Sequence, residues 1–345
     1  MNFKNFFAPK TVEVSLREDE EGNLYFTDKK TRYDLKKLPK NKIFHVNVLK
    51  LEGVDFSKIN DLSNVYADQM FLNGTALTLA KMPKARTLYL MGIHDLTPFL
   101  AHLPEETKTL DIFDCSGENG LHFSSQNNLR SLSWNRGSLP DGFANALPDG
   151  LKELVIRDVS IVDLKGLNSK TNLETLTLTD IEELKGNVGA YLPSSLTDLL
   201  IENCADFKDL TGLSKETKLT RLKIVSCPNL SNKLPASFPL SLKEFETMQS
   251  SFENFKGIHP DVSLERFVFN RYFSSKKPSN LLEGLSRAQL DRLNFDWVPS
   301  TYRSSLKALR NKARYRLNRK ENSKVRFCEF SLGQLMRGVR RILTR

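Results

Sequence analysis

The chain has 345 residues, more than one ordinary domain holds, so it is either two domains or one elongated repeat array. A hydrophobic fraction of 39%, with 27% charged and 9% aromatic residues, excludes a disordered, collagen-like or low-complexity chain. The net charge of +10 is localised: residues 303–345 carry 14 Lys and Arg against Glu321 and Glu329, a net of +12, while residues 1–302 hold 37 basic and 39 acidic residues.

At the start, residues 1–9 lack the apolar core of a signal peptide, and no apolar run approaches the roughly 20 residues that cross a bilayer. The sequence therefore predicts a protein that is cytoplasmic at synthesis. Residues 11–27 alternate apolar and polar (Val12, Val14 and Leu16, then Leu24 and Phe26) around Gly22-Asn23, which predicts a β-hairpin. Residues 1–42 are expected to form an N-terminal cap on the repeats that begin at residue 43.

From 43 to 298 the chain repeats with a period near 22 residues. The clearest copies read LxxLxL: Leu151-Lys-Glu-Leu154-Val-Ile156, Leu173-Glu-Thr-Leu176-Thr-Leu178, Leu196-Thr-Asp-Leu199-Leu-Ile201 and Leu219-Thr-Arg-Leu222-Lys-Ile224. The second leucine-type position recurs twelve times, at Leu49, Met70, Leu88, Leu110, Leu132, Leu154, Leu176, Leu199, Leu222, Phe245, Phe267 and Leu293. One copy cannot bury its apolar face alone, so the pattern predicts stacked short strands sharing a core. Two repeat types alternate. One carries Leu147-Pro-Asp-Gly-Leu151, Leu192-Pro-Ser-Ser-Leu196 or Phe238-Pro-Leu-Ser-Leu242, and the other Leu164-Lys-Gly-Leu167, Leu210-Thr-Gly-Leu213 or Phe255-Lys-Gly-Ile258.

After Trp297-Val-Pro299 the chain turns basic and helical. Leu306, Leu309, Ala313 and Leu317 form one apolar face, and Ser331 to Gln334 has the form of a capping box ahead of a stripe at Leu332, Leu335, Met336, Val339, Ile342 and Leu343. Three readings stay open for this tail. It is a cap with a solvated basic face, a docking element for an anionic membrane or acidic protein, or a nucleic-acid contact. The candidate residues for anionic surfaces are Arg310, Lys312, Arg314, Arg316, Arg319, Lys320, Arg337, Arg340 and Arg341.

Over residues 43–298 the pattern resembles the leucine-rich repeat family. The resemblance implies an α/β repeat fold: a leucine-rich repeat solenoid with a curved parallel sheet of about 12 repeats of about 22 residues. It would carry the N-terminal hairpin cap and, over residues 299–345, a basic helical C-terminal cap. In the family motif an Asn or Cys turns the chain after each strand. Here Cys115, Cys204 and Cys227 fall in that column and Asn is absent from it. The LPxxLxxLxI copies are similar to repeats of effectors secreted by Gram-negative pathogens, which lack a cleaved signal and act in host cells. That similarity implies secretion into host cytoplasm and a virulence role.

The sequence shows no phosphate loop, GxSxG elbow, HExxH or EF-hand, and no CxxC or Cys/His cluster. It predicts no catalytic residue, cofactor, metal or small-molecule substrate. Cys204-Ala-Asp206 is similar to the Cys-x-Asp of the ubiquitin ligase domain fused to some LPxxL effectors, yet it sits inside a repeat with no room for that domain. The remaining candidate is the concave sheet face. Among its outward positions Phe71, Tyr89, Met91 and Phe113 gather over three successive repeats, with Val155, Leu200 and Val225 further along. Large apolar groups on a wet face imply a cover, either a partner protein or the chain's own N-terminal segment. The function expected is non-enzymatic recognition of a partner protein on the concave face. The alternative is an anionic-surface binder, docking on membrane or nucleic acid through its basic tail with the solenoid as scaffold.

Overall fold

The structure, a computed structural model, describes residues 10–52, 61–73, 82–116, 121–123, 128–213, 215–230, 238–250, 258–259, 261–270, 285–292, 307–308, 310–311 and 314. It divides into two compact units, Met1–Leu173 and Glu174–Arg345. Each is a stack of parallel strands spaced near 22 residues, as in a β-solenoid.

The first unit contains β1 (Lys10–Glu18), β2 (Leu24–Thr27), β3 (Arg32–Asp34), β4 (Lys42–Glu52), β5 (Val65–Asn73), β6 (Lys84–Met91), α1 (Thr97–Ala101), β7 (Thr109–Ser116), β8 (Ser131–Ser138), α2 (Phe143–Ala146) and β9 (Glu153–Asp163). Its strand order is β3-β2-β1-β4-β5-β6-β7-β8-β9. The expected hairpin is β1 with β2, antiparallel. Its turn is held by the Asp19 carboxylate, which accepts from the backbone N–H of Asn23 at 2.8 Å, and by Gly22 at φ 80°. Alternation alone does not show that β1 also pairs in parallel with β4, Val12 beside Phe44 and Val14 beside Val46. A third strand, β3, follows β2 antiparallel. Phe26 and Tyr33 pack on the Phe44 ring with centroids 5.8 and 5.0 Å away, closing the apolar end of the stack.

Within this unit Leu49, Met70, Leu88, Leu110, Leu132 and Leu154 are aligned strand to strand. The second unit contains β10 (Thr175–Lys185), α3 (Val188–Tyr191), β11 (Asp198–Glu202), β12 (Arg221–Val225), β13 (Glu244–Met248), β14 (Arg266–Asn270) and α4 (Arg287–Arg292). There Leu176, Leu199, Leu222, Phe245 and Phe267 form the same row. All eleven are at most 2% exposed. The twelfth position, Leu293, lies outside the described residues.

A strand points alternate side chains to one face, so LxxL with both leucines buried needs one extra residue. A bulge supplies it. In the first unit the Lys108 carbonyl accepts from both Arg130 N (2.8 Å) and Ser131 N (3.1 Å), and the Arg130 carbonyl from Lys152 N and Glu153 N. In the second unit Glu174, Thr197, Thr220 and Lys243 repeat the pattern.

The two repeat types use different connections. Short helices α1, α2 and α3 precede Leu103-Pro104, Leu147-Pro148 and Leu192-Pro193. Each proline carbonyl then accepts the N–H three residues on, at 3.0 Å from Thr107 and 3.1 Å from Leu151 and Leu196. The Gly type instead turns through Gly166 (φ 99°) and Gly212 (φ 85°), with Leu167 N–H on the Leu164 carbonyl at 2.9 Å and Leu213 N–H on that of Leu210 at 3.0 Å. Helices α1 to α4 are four to six residues long, so strands and turns dominate the described residues. In the expected C-terminal helical cap only 307–308, 310–311 and 314 are described, and all are helical.

Candidate functional site

Two residues after the second inner position, β6 to β9 of the first unit and β10 to β13 of the second have a residue in the left-handed region: Gly92, Asp114 (φ 51°), Arg136 (63°) and Asp158 (52°), then Asp180 (55°), Asn203, Ser226 and Gln249. The next residue is the turn column, where side-chain sulfur and hydroxyl groups meet the backbone. Cys115 Sγ accepts from Ile93 N–H at 3.3 Å and faces the carbonyl of Phe113 at 3.3 Å. Cys204 and Cys227 face the carbonyls of Glu202 and Val225 at 3.3 Å, and Ser250 Oγ faces that of Met248 at 3.0 Å. Burial pushes the Cys115 thiol up, that of Cys204 to about 11 and that of Cys227 to about 12. Thiols held so far above neutrality are poor nucleophiles, and all three are buried. They are turn elements.

With one face of each strand in the core, the other face is open, and the register fixes its neighbours. Lys50, Phe71, Tyr89, Asp111, Ser133 and Val155 form one row of the first unit, and Asn73, Met91, Phe113, Asn135 and Arg157 lie in the next. The Phe71 and Tyr89 rings stack at 4.3 Å and 3° between planes. Met91 is partly exposed beside them and Phe113 is 37% exposed. Two cations complete the surface: Lys50 Nζ lies 5.6 Å from the Phe71 centroid and the Arg136 guanidinium 5.3 Å from that of Phe113. Arg136 also pairs with Asp158 at 2.7 Å. The structure thus brings together the four residues singled out from the repeat.

Val48, 40% exposed and two residues before Lys50 on the same face of β4, extends the stripe. Sequence reasoning missed it because the outward columns were counted only from the residue after the inner leucine. The signal was there in parity. The described part of the N-terminal cap packs on Phe44, at the far end of β4 from this stripe. Of the other outward apolar positions, Val155 is partly exposed in the first unit, and in the second Leu200 is partly exposed while Val225 is buried at 7% exposure.

Leu200 lies in a shallow cavity of about 230 Å³ on the open face of the second unit. Its charges pair across neighbouring strands: Arg221 with Asp198, Arg266 with Glu244 at 3.2 Å, and Lys223 with Glu246 at 3.2 Å. Such a self-neutralised lattice presents no field of single sign to a ligand. Among the described residues no group of His, Cys, Asp and Glu has the geometry of a metal site, and no helix is long and apolar enough to cross a membrane. Of the basic tail candidates, Arg310 and Arg314 are described, and Arg314 pairs with Asp291 of α4. Lys312, Arg316, Arg319, Lys320, Arg337, Arg340 and Arg341 lie outside the described residues. No protein-family model matches the chain, and no curated protein matches it as a relative.

Proposed function

We propose that the protein is a non-enzymatic recognition scaffold of the leucine-rich repeat type, with twelve repeats and a helical C-terminal cap, that binds a partner protein on the open face of its sheet. The observation that carries this reading is the aromatic stripe, Phe71 stacked on Tyr89 with Phe113 exposed beside them. Partly exposed aromatics that stack on one another and bear cations on their faces make rigid anchors of the kind that dominate interface energetics. The LP repeats add the context of an effector delivered to host cytoplasm.

Chemical cross-linking in host-cell lysate followed by mass spectrometry tests it. The unaltered chain is expected to cross-link a partner near β5 to β7, and the double change Tyr89→Ala with Phe113→Ala to lose that product at unchanged melting temperature. A partner retained by the variant would place the binding surface elsewhere.

A further inference from the structure

Resting on the recognition reading above, we infer that the stripe receives an amphipathic helix of a partner protein, with an apolar face flanked by carboxylates. Three observations select that occupant. β5 pairs with β4 and β6, and β6 with β5 and β7, so the backbone under Phe71 and Tyr89 is committed on both sides. β1 accompanies β4 only as far as Val46, so strand addition at β4 would lie beside the rings and not over them. A ligand lying across the rings has to satisfy its own backbone, which a helix does and an extended segment does not.

The dimensions agree. From Val48 on β4 to Phe113 on β7 the stripe crosses three strand intervals and shifts four residues along the strands. At about 4.8 Å per interval and about 3.3 Å per residue this diagonal is on the order of 20 Å, the length of a helix of about 13 residues. Side chains on one helix face recur every three or four residues, about 5–6 Å apart, close to the strand spacing.

Charge sets the flanks. Lys50 stands at one end, Arg136 at the other, and Arg157 is exposed one strand further in the Phe113 row. Among the described residues neither Lys50 nor Arg157 has a carboxylate partner. Asp111, beside Tyr89 in the register, and Glu52, beside Asn73 at the β4 end of the Phe113 row, keep the helix's own carboxylates off the middle of the stripe. Neither the described helices nor the apolar stripe of the tail fits. Helices α1 to α4 are at most six residues long, and residues 332–343 carry Arg337, Arg340 and Arg341 with no carboxylate, the wrong sign.

Selection from a random 16-residue peptide display library on the full chain tests this. The expected winners carry apolar residues at helical spacing with Asp and Glu outnumbering Lys and Arg. A synthetic winner should bind at least tenfold more weakly to Tyr89→Ser with Phe113→Ser, and at least tenfold more weakly to Lys50→Glu with Arg157→Glu, both at unchanged melting temperature. Exchanging its Glu residues for Lys should cost a similar factor. Basic or strand-patterned winners, or no enrichment, would overturn the inference, as would tighter peptide binding after deletion of 331–345, which would make the tail the occupant. Loss with the aromatic pair but not with the charge reversal would reject the acidic helix and leave the recognition surface standing. Indifference to both would reject the two together.

Discussion

Asp114 sits at φ 51°, a conformation that costs a non-glycine residue roughly 1 kcal/mol or more. Replacing it by Gly is expected to raise stability by about 1 kcal/mol, read as a shift in the denaturant midpoint with unchanged slope. Gly137 shows the converse. It has φ 81°, and a Cβ there would run into the carbonyl oxygen of Cys115, so Gly137→Ala should destabilise by about 1–3 kcal/mol. Thr247 occupies an inner column where the neighbouring strand has Ile224. It is 1% exposed and its hydroxyl has no hydrogen-bond partner among the described residues. The isosteric change Thr247→Val should stabilise by about 1 kcal/mol, since it removes an unsatisfied buried hydroxyl and leaves the shape. A lower midpoint would mean that the hydroxyl is satisfied after all.

The strand and its bulge explain the spacing of the repeat. LxL is the period of a flat strand, and LxxL is the same strand with a carbonyl that accepts two successive N–H groups. At the stack's end, β1 is joined to β4 by a polar contact as well as by its ladder: His45 Nδ1 lies 2.6 Å from Glu13 Oε2, and Nε2 lies 3.4 Å from Asp68 Oδ1 of β5. The hydrogen bond to Glu13 raises the His45 pKa above its usual 6.5. The folded state therefore holds the proton more tightly than the unfolded chain. That contribution is fully present below pH 6.5 and is lost as pH rises through the folded value. Thermal stability should fall across that window in the unaltered protein, and His45→Gln should flatten the profile there. An unchanged slope in the variant would show that other groups set the pH dependence.

For the whole chain, the separation of charge is the feature that composition hides. A near-neutral body precedes a segment of net +12. If residues 331–345 are a docking element, binding to heparin or to anionic vesicles should weaken steeply between 50 and 200 mM salt, as phosphate-type contacts do, and be lost on deletion of 331–345 while the thermal transition stays in place. A collapsed transition in the deleted chain would identify the segment as a structural cap. The aromatic stripe should respond less steeply, because its anchors are apolar and only Lys50, Arg136 and Arg157 at its flanks meet charge on the ligand. The two surfaces can therefore be separated in one titration series.

The repeat, its period, the inner and outward columns, the hairpin and the alternation of two connection types were legible in residue order. They are local or periodic constraints, and a one-dimensional stack converts sequence spacing directly into neighbourhood. Leu49 to Phe267 could be placed because every copy obeys the same rule. The left-handed column at Asp114 to Gln249, the carbonyls that accept twice, and the parallel pairing of β1 with β4 were not legible. They depend on where a backbone N–H or C=O of one repeat finds its partner in the next, and although Asp114, Asp158, Asp180 and Asn203 are of the kind that tolerates the left-handed region, Arg136, Ser226 and Gln249 in the same column are not. The candidate surface divides in the same way. Phe71, Tyr89 and Phe113 follow from counting, and Val48 could have followed from parity, whereas the stacked ring pair and the cations on Phe71 and Phe113 come from the distance between strands that only tertiary packing sets.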